Sequence, residues 1–100
     1  MMRRQLILTI GMTLAGGCVQ EEQNGQELAA SKGCVACHST SGAATAPIYP
    51  NLTGQWESYL RQQLYAYRSG HRKNVVMNGM AAELTDREIR ALAKHYGREP

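Results

Sequence analysis

The sequence has no phenylalanine, one tryptophan and only three cysteines among its 100 residues. A chain this short buries a modest core, so it usually depends on an additional stabilising element. Three cysteines are too few for the disulfide frameworks of small secreted domains. No apolar run reaches the roughly 20 residues that a membrane-spanning helix needs. The composition therefore predicts one small domain stabilised by something other than disulfides.

The first 17 residues have the order of a secretion signal. Arg3 and Arg4 precede an apolar stretch over residues 6–15, and small residues follow it. Cys18 comes next, which resembles a bacterial lipobox, although Ala15 stands where a larger aliphatic residue is usual. We expect export to the periplasm, with Cys18 lipidated as the first mature residue. Ordinary cleavage that leaves or removes a spare thiol is the alternative.

The charge balance changes once this signal is removed. Losing Arg3 and Arg4 from the 11 Lys and Arg residues leaves nine, against eight Asp and Glu. A nearly neutral chain without a basic stripe gives no reason to expect nucleic-acid binding. Residues 18–24 are polar and have no apolar residues to bury beyond Val19, so they are expected to form a tether between the signal and the folded domain.

Three helical patterns lie within residues 25–97. One helix starts after Asn24, a second spans Trp56 to Tyr67 before Gly70, and a third starts at the capping box Thr85–Glu88 and ends at Gly97. No segment alternates with a period of two, and residues 39–50 and 71–83 are expected to be loops. These features predict an all-α domain with three main helices and two functional loops.

One short motif carries the chemistry. Cys34, Val35, Ala36, Cys37 and His38 form C-x-x-C-H, the attachment signature for c-type haem. Two thiols at this spacing can form thioethers with one porphyrin, and the next side chain then lies under the iron. His38 is predicted to ligate the iron through a neutral imidazole.

Other interpretations of this motif are weaker. A thioredoxin-type dithiol belongs in a βαβ setting that the pattern lacks. A zinc site needs further ligands, and His71 and His95 are distant in sequence. A disulfide between Cys34 and Cys37 would close a very small loop and stabilise little.

The order of the remaining motifs resembles class I cytochromes c, in particular the bacterial type whose dihaem members have two such domains in tandem. The matching segments are Pro50–Gln55, Tyr59–Leu64, Gly70–Arg72 and Leu84–Asp86. The resemblance implies a cytochrome c fold wrapped around one covalently attached haem c. Ser39 departs from the family pattern, because glycine is common directly after the histidine.

The resemblance also implies the second axial ligand. The family methionine lies seven residues before the leucine that precedes the last helix, which is Met77 counted back from Leu84. Met80, in the same predicted loop, is the rival. Pro50 is expected to accept a hydrogen bond from His38 through its carbonyl and so orient the imidazole.

The implied function is electron transfer without a small-molecule substrate. A haem with both axial positions filled cannot bind oxygen or peroxide, so a carrier is expected and an enzyme is not. We expect a monomer that meets redox partner proteins in the periplasm. An electron-relay subunit of a larger oxidoreductase is the alternative, and a haem peroxidase or gas sensor would require an open sixth position.

Overall fold

The computed structural model describes residues 10–11, 16 and 23–100. Five helices follow one another along the chain: α1 (Gly25–Ser31), α2 (Val35–His38), α3 (Glu57–Ser69), α4 (Val75–Ala81) and α5 (Asp86–Tyr96). Within the described part of the chain, β-structure is limited to an isolated bridge between Trp56 and Arg98. The all-α prediction is confirmed.

α5 is the central element of the packing, since both α1 and α3 lie against it, and α4 packs on α3. The buried apolar residues come mainly from α5 and the segment before it: Ala29, Leu60, Ala81, Leu84, Ile89, Leu92, Ala93 and Tyr96. Among the described residues, Ile89 is the only large side chain that is fully buried. The protein side chains alone therefore form a small core.

The predicted helix starts are confirmed by their capping bonds. The Asn24 side chain accepts hydrogen bonds from the backbone N–H groups of Gln26 and Glu27. At the start of α5, Thr85 and Glu88 form the full reciprocal capping box. α3 ends at Gly70, whose φ of 81° lies in the left-handed region that glycine adopts readily.

The prediction of an unbroken loop over residues 71–83 is wrong, because α4 occupies Val75–Ala81. This helix has seven residues, and Val75 and Val76 on it are largely exposed, at 93% and 63%. It therefore lacks the apolar periodicity by which a helix is recognised. Its start is defined instead by Asn74, whose side chain accepts from the Met77 N–H.

The predicted signal over residues 1–17 and the predicted tether over residues 18–24 lie mostly outside the described residues, as does Cys18. Of the tether, the structure describes Gln23 and Asn24. No helix within the described ranges is both long and apolar enough to span a bilayer.

Candidate functional site

A largely apolar pocket lies between α2, the segment that follows it, α3 and α5. Its cavity has a volume of about 240 Å³ and is partly open to solvent. The residues that line it are Cys34, His38, Pro50, Asn51, Leu52, Gln55, Tyr59, Leu60, Gln63, Leu64, Tyr67, Arg72, Met77, Leu92, Ala93 and Tyr96. Concave apolar sites with a few convergent polar groups are typical cofactor sites.

The orientation of His38 is defined by a backbone carbonyl. Its Nδ1 lies 2.9 Å from the carbonyl oxygen of Pro50. A carbonyl can only accept, so Nδ1 carries the proton and donates it to this bond. The lone pair then remains on Nε2, the nitrogen that can bind a metal. The structure thus brings the two residues together as the family resemblance implied.

The two cysteines of the motif are both free thiols and both half-buried. Cys34 lines the pocket, whereas Cys37 lies beside Tyr49 and raises the pKa of that phenol through a hydrogen bond. Burial raises the pKa of the Cys34 thiol. A reactive dithiol of the thioredoxin type needs a lowered thiol pKa, so the environment of Cys34 argues against that interpretation.

The two candidate methionines are placed differently. Met77 is half-buried and lines the pocket, which His38 also lines. Met80 is 37% exposed and lies outside the set of lining residues, with its terminal methyl group directed towards Gly33. The thioether that shares a cavity with His38 is therefore that of Met77.

Sequence reasoning missed Asn78, which attaches α4 to the end of α3. Its Oδ1 accepts from the Asn74 N–H at 2.9 Å, and its Nδ2 donates to the carbonyls of Tyr67 and Arg72, each at 2.8 Å. Asn78 directly follows Met77, so these bonds fix the helical turn that carries the methionine. The pair of asparagines four residues apart was the available signal.

The turn after His38 is held by the end of α5. The Tyr96 hydroxyl donates to the Ser39 carbonyl at 2.7 Å, and His95 Nε2 lies 2.8 Å from the Thr40 carbonyl. Burial, followed by the charge of Cys34, raises the pKa of Tyr96 to about 12. The phenol therefore stays protonated and able to donate over the physiological range.

Polar side chains gather at one end of the pocket. Arg72 Nη1 donates to Gln63 Oε1 at 2.7 Å, and its guanidinium lies 4.9 Å from the centroid of the Tyr67 ring. Arg68 does not line the pocket; it donates to the Leu84 carbonyl and to Asp86, and so joins α3 to the start of α5. Arg72 is the guanidinium available to an anionic group in this site.

The site fits a covalently attached porphyrin. A pocket walled by leucine and tyrosine side chains suits a flat apolar ring, and Cys34 stands at its wall. A neutral imidazole and a thioether are donors that iron accepts in cytochromes c. The polar end around Arg72 and Gln63 can receive the charged carboxylates of such a ring.

Comparison with known proteins agrees with this chemistry. The sequence profile described as "Cytochrome c" matches residues 22–95. Cytochrome c-554(548) of Halomonas halodenitrificans is 50% identical over 66 residues, which cover 63% of this chain and 80% of that protein. Cytochrome c4 of Pseudomonas aeruginosa is 34% identical over 91 residues, covering 91% of this chain.

This chain spans only part of some relatives. It covers 44% of the Pseudomonas aeruginosa cytochrome c4. A protein named thiosulfate dehydrogenase electron acceptor, from Thiomonas intermedia, is 42% identical over 66 residues, which cover 65% of this chain and 30% of that protein. The chain therefore belongs to the cytochrome c family, electron-transfer haem proteins that hold haem c through a cysteine pair and act as carriers rather than enzymes.

Proposed function

We propose that the protein is a periplasmic carrier of single electrons, with haem c attached through Cys34 and Cys37 and its iron ligated by His38 and Met77. The observation that supports this most strongly is that His38 and Met77 line the same apolar pocket as Cys34. Once bound there, the haem supplies a one-electron couple between ferric and ferrous iron.

The residues of the chain would set the properties of this couple. Pro50 fixes the imidazole plane of His38 through the 2.9 Å bond and increases its donor strength. A thioether from Met77 favours the ferrous state and raises the reduction potential. The apolar residues that line the pocket would limit the access of water to a bound haem, and ligation by His38 and Met77 would leave no iron position for oxygen. Electron transfer through the edge of the bound haem would need no binding site for a small-molecule substrate.

The place of this carrier in the cell follows from the N-terminal sequence. We infer export by the signal over residues 1–17 and attachment to the membrane by a lipid on Cys18, with residues 18–24 as the tether. One haem domain with a short tether can meet redox partner proteins as a monomer. The intact mass of the exported protein tests the lipid.

The ligand assignment is tested by two matched substitutions. The protein is produced with its signal in a bacterium that attaches haem, and its visible spectrum is recorded in both oxidation states. Met77→Ala is expected to convert the ferric iron from low to high spin, because it removes a ligand. Met80→Ala is the control, since this side chain lies outside the pocket, and its spectrum should match that of the wild type. The reverse pattern would identify Met80 as the iron ligand.

A second candidate function is that of an electron-relay subunit docked on an oxidoreductase. The observation in its favour is the similarity to proteins named thiosulfate dehydrogenase electron acceptor, at 42% and 39% identity. Purification of the protein from its native membrane distinguishes the two functions. A stable, stoichiometric enzyme partner would establish the relay, and a lone cytochrome would favour the free carrier.

A further inference from the structure

A second concave surface, formed by α1, α3, α5 and the residues before α1, shares no lining residue with the apolar pocket around His38, which we call the haem pocket. The residues that line it are Gln23, Asn24, Gly25, Gln26, Glu57, Arg61, Arg87, Arg90, Ala91, Lys94 and His95. Four of these are arginine or lysine, and Glu57 is the acidic residue among them. We call this surface the basic groove.

The basic groove and the haem pocket use different faces of the same helices. On α3, Glu57 and Arg61 line the groove, whereas Leu60, Leu64 and Tyr67 line the haem pocket, so the two surfaces use neighbouring faces of this helix. On α5, the positions lining the groove are 87, 90, 91, 94 and 95, and those lining the pocket are 92, 93 and 96, on the other side of this helix. α5 therefore lies between the two surfaces.

The basic groove is also where the tether enters the domain, because Gln23, Asn24 and Gly25 form part of its wall. Asn24 lies six residues after Cys18, and a fully extended chain of this length reaches about 20 Å. A lipid on Cys18 would hold the wall of the groove within that distance of the bilayer surface. The tether thus limits which side of the domain can face the membrane.

We propose that the basic groove binds the headgroups of anionic phospholipids and orients the domain with its haem pocket away from the bilayer. This inference rests on the proposed function, since the lipid on Cys18 brings the groove to the membrane. Arg61 and Arg90 supply the main contacts, each contributing by Coulomb attraction to the negative surface. Glu21 and Glu22 in the tether oppose this attraction.

The test measures how the unlipidated mature protein binds to vesicles. Residues 18–100 with Cys18→Ser are exported behind an ordinary signal so that haem is attached, and binding is followed by haem absorbance. Vesicles of phosphatidylcholine alone are compared with equimolar phosphatidylcholine and phosphatidylglycerol. We expect binding to the anionic vesicles only, reversed by salt. Arg90→Gln should weaken binding about fivefold, and Arg61→Gln with Arg90→Gln about 30-fold.

Lys73→Gln is the matched control, because it removes the same charge from an exposed residue outside the groove. An equal loss of affinity in this control, or equal binding to both kinds of vesicle, would overturn the inference. Binding to an acidic protein without binding to the anionic vesicles would also overturn it. A larger affinity after Glu21→Gln with Glu22→Gln would support it. A chain that matures without haem would instead refute the proposed function, so the two failures are distinguishable.

Discussion

Ser39 has a backbone conformation that residues other than glycine rarely adopt. Its φ is 53° and its ψ is −177°, a region that is almost restricted to glycine and costs roughly 1–3 kcal/mol for other residues. The sequence had already marked this position, since glycine is common there in the family. The Ser39 hydroxyl donates to the Ala43 carbonyl at 2.7 Å, which offsets part of the strain.

Substitutions at Ser39 separate strain from hydrogen bonding. Ser39→Ala keeps the strained conformation but loses the bond to Ala43, so we expect it to lower the free energy of unfolding by about 1 kcal/mol. Ser39→Gly loses the same bond but removes the strain, and it should be more stable than Ser39→Ala by about 1 kcal/mol. Denaturant unfolding of the two holoproteins measures this difference, and an alanine variant as stable as the glycine variant would disprove the strain.

At the scale of elements, the start of α5 depends on the charge of Glu88. Its side chain accepts from the Thr85 N–H at 3.0 Å and lies 3.3 Å from Lys32 Nζ, next to the end of α1. The bond from Thr85 lowers the pKa of Glu88, and Lys32 lowers it further. The carboxylate is therefore bound more strongly in the folded state than in the unfolded chain.

This lowered pKa predicts a stability loss in acid. Because the folded pKa lies below the usual glutamate value of about 4.3, the contribution of the charge is complete above that pH and is lost as the pH falls through the folded pKa. Glu88→Gln can retain the capping bond but has no charge. We expect it to be about 1 kcal/mol less stable than the wild type at pH 7 and equally stable in strong acid. A difference in stability that stays constant across this pH range would show that the charge of Glu88 does not stabilise the fold.

We expect the hydrogen bonds of Asn78 to fix the position of Met77, the residue before it on α4. Asn78→Asp keeps the size and the acceptor oxygen but loses both Nδ2 donors to Tyr67 and Arg72. We expect this variant to keep its haem and to ligate iron through Met77 less firmly, so that high-spin iron appears on mild heating. Asn74→Ser, which retains a capping oxygen, is the control. An Asn78→Asp variant with the thermal spectrum of the wild type would exclude a positioning role.

Local rules predicted the elements whose signals are local. The capping box of Thr85 and Glu88 and the cap at Asn24 were visible because their partners lie within three residues. α4 was missed because Val75 and Val76 face solvent, so the helix has no apolar periodicity and is marked in the sequence by its Asn74 cap alone. The roles of Asn78 and Tyr96 depend on the carbonyls of Tyr67 and Ser39, 11 and 57 residues away, which local capping patterns do not include.

At the scale of the whole molecule, the small core makes folding dependent on the cofactor. Ile89 is the only large side chain fully buried among the described residues, while the apolar pocket leaves a cavity of about 240 Å³ that the chain itself does not fill. Packing density in native proteins leaves few such voids. The haem is thus expected to complete the core.

Removal of the attachment sites tests this dependence. Cys34→Ala with Cys37→Ala should yield a chain without covalent haem that has lost most of its helical circular dichroism and is rapidly cleaved by protease. The single variants are the controls, since one thioether can still retain the ring. A colourless double variant with native helix content and cooperative unfolding would show that the core is sufficient by itself.

The pocket shared by His38 and Met77 makes one further prediction about the whole protein, since two protein ligands leave the iron closed. The measurement is the visible spectrum of the reduced wild-type protein at neutral pH before and after exposure to carbon monoxide. An unchanged spectrum is the predicted result. Rapid formation of a carbon monoxide complex would contradict ligation by Met77 and would favour a haem enzyme or gas sensor over an electron carrier.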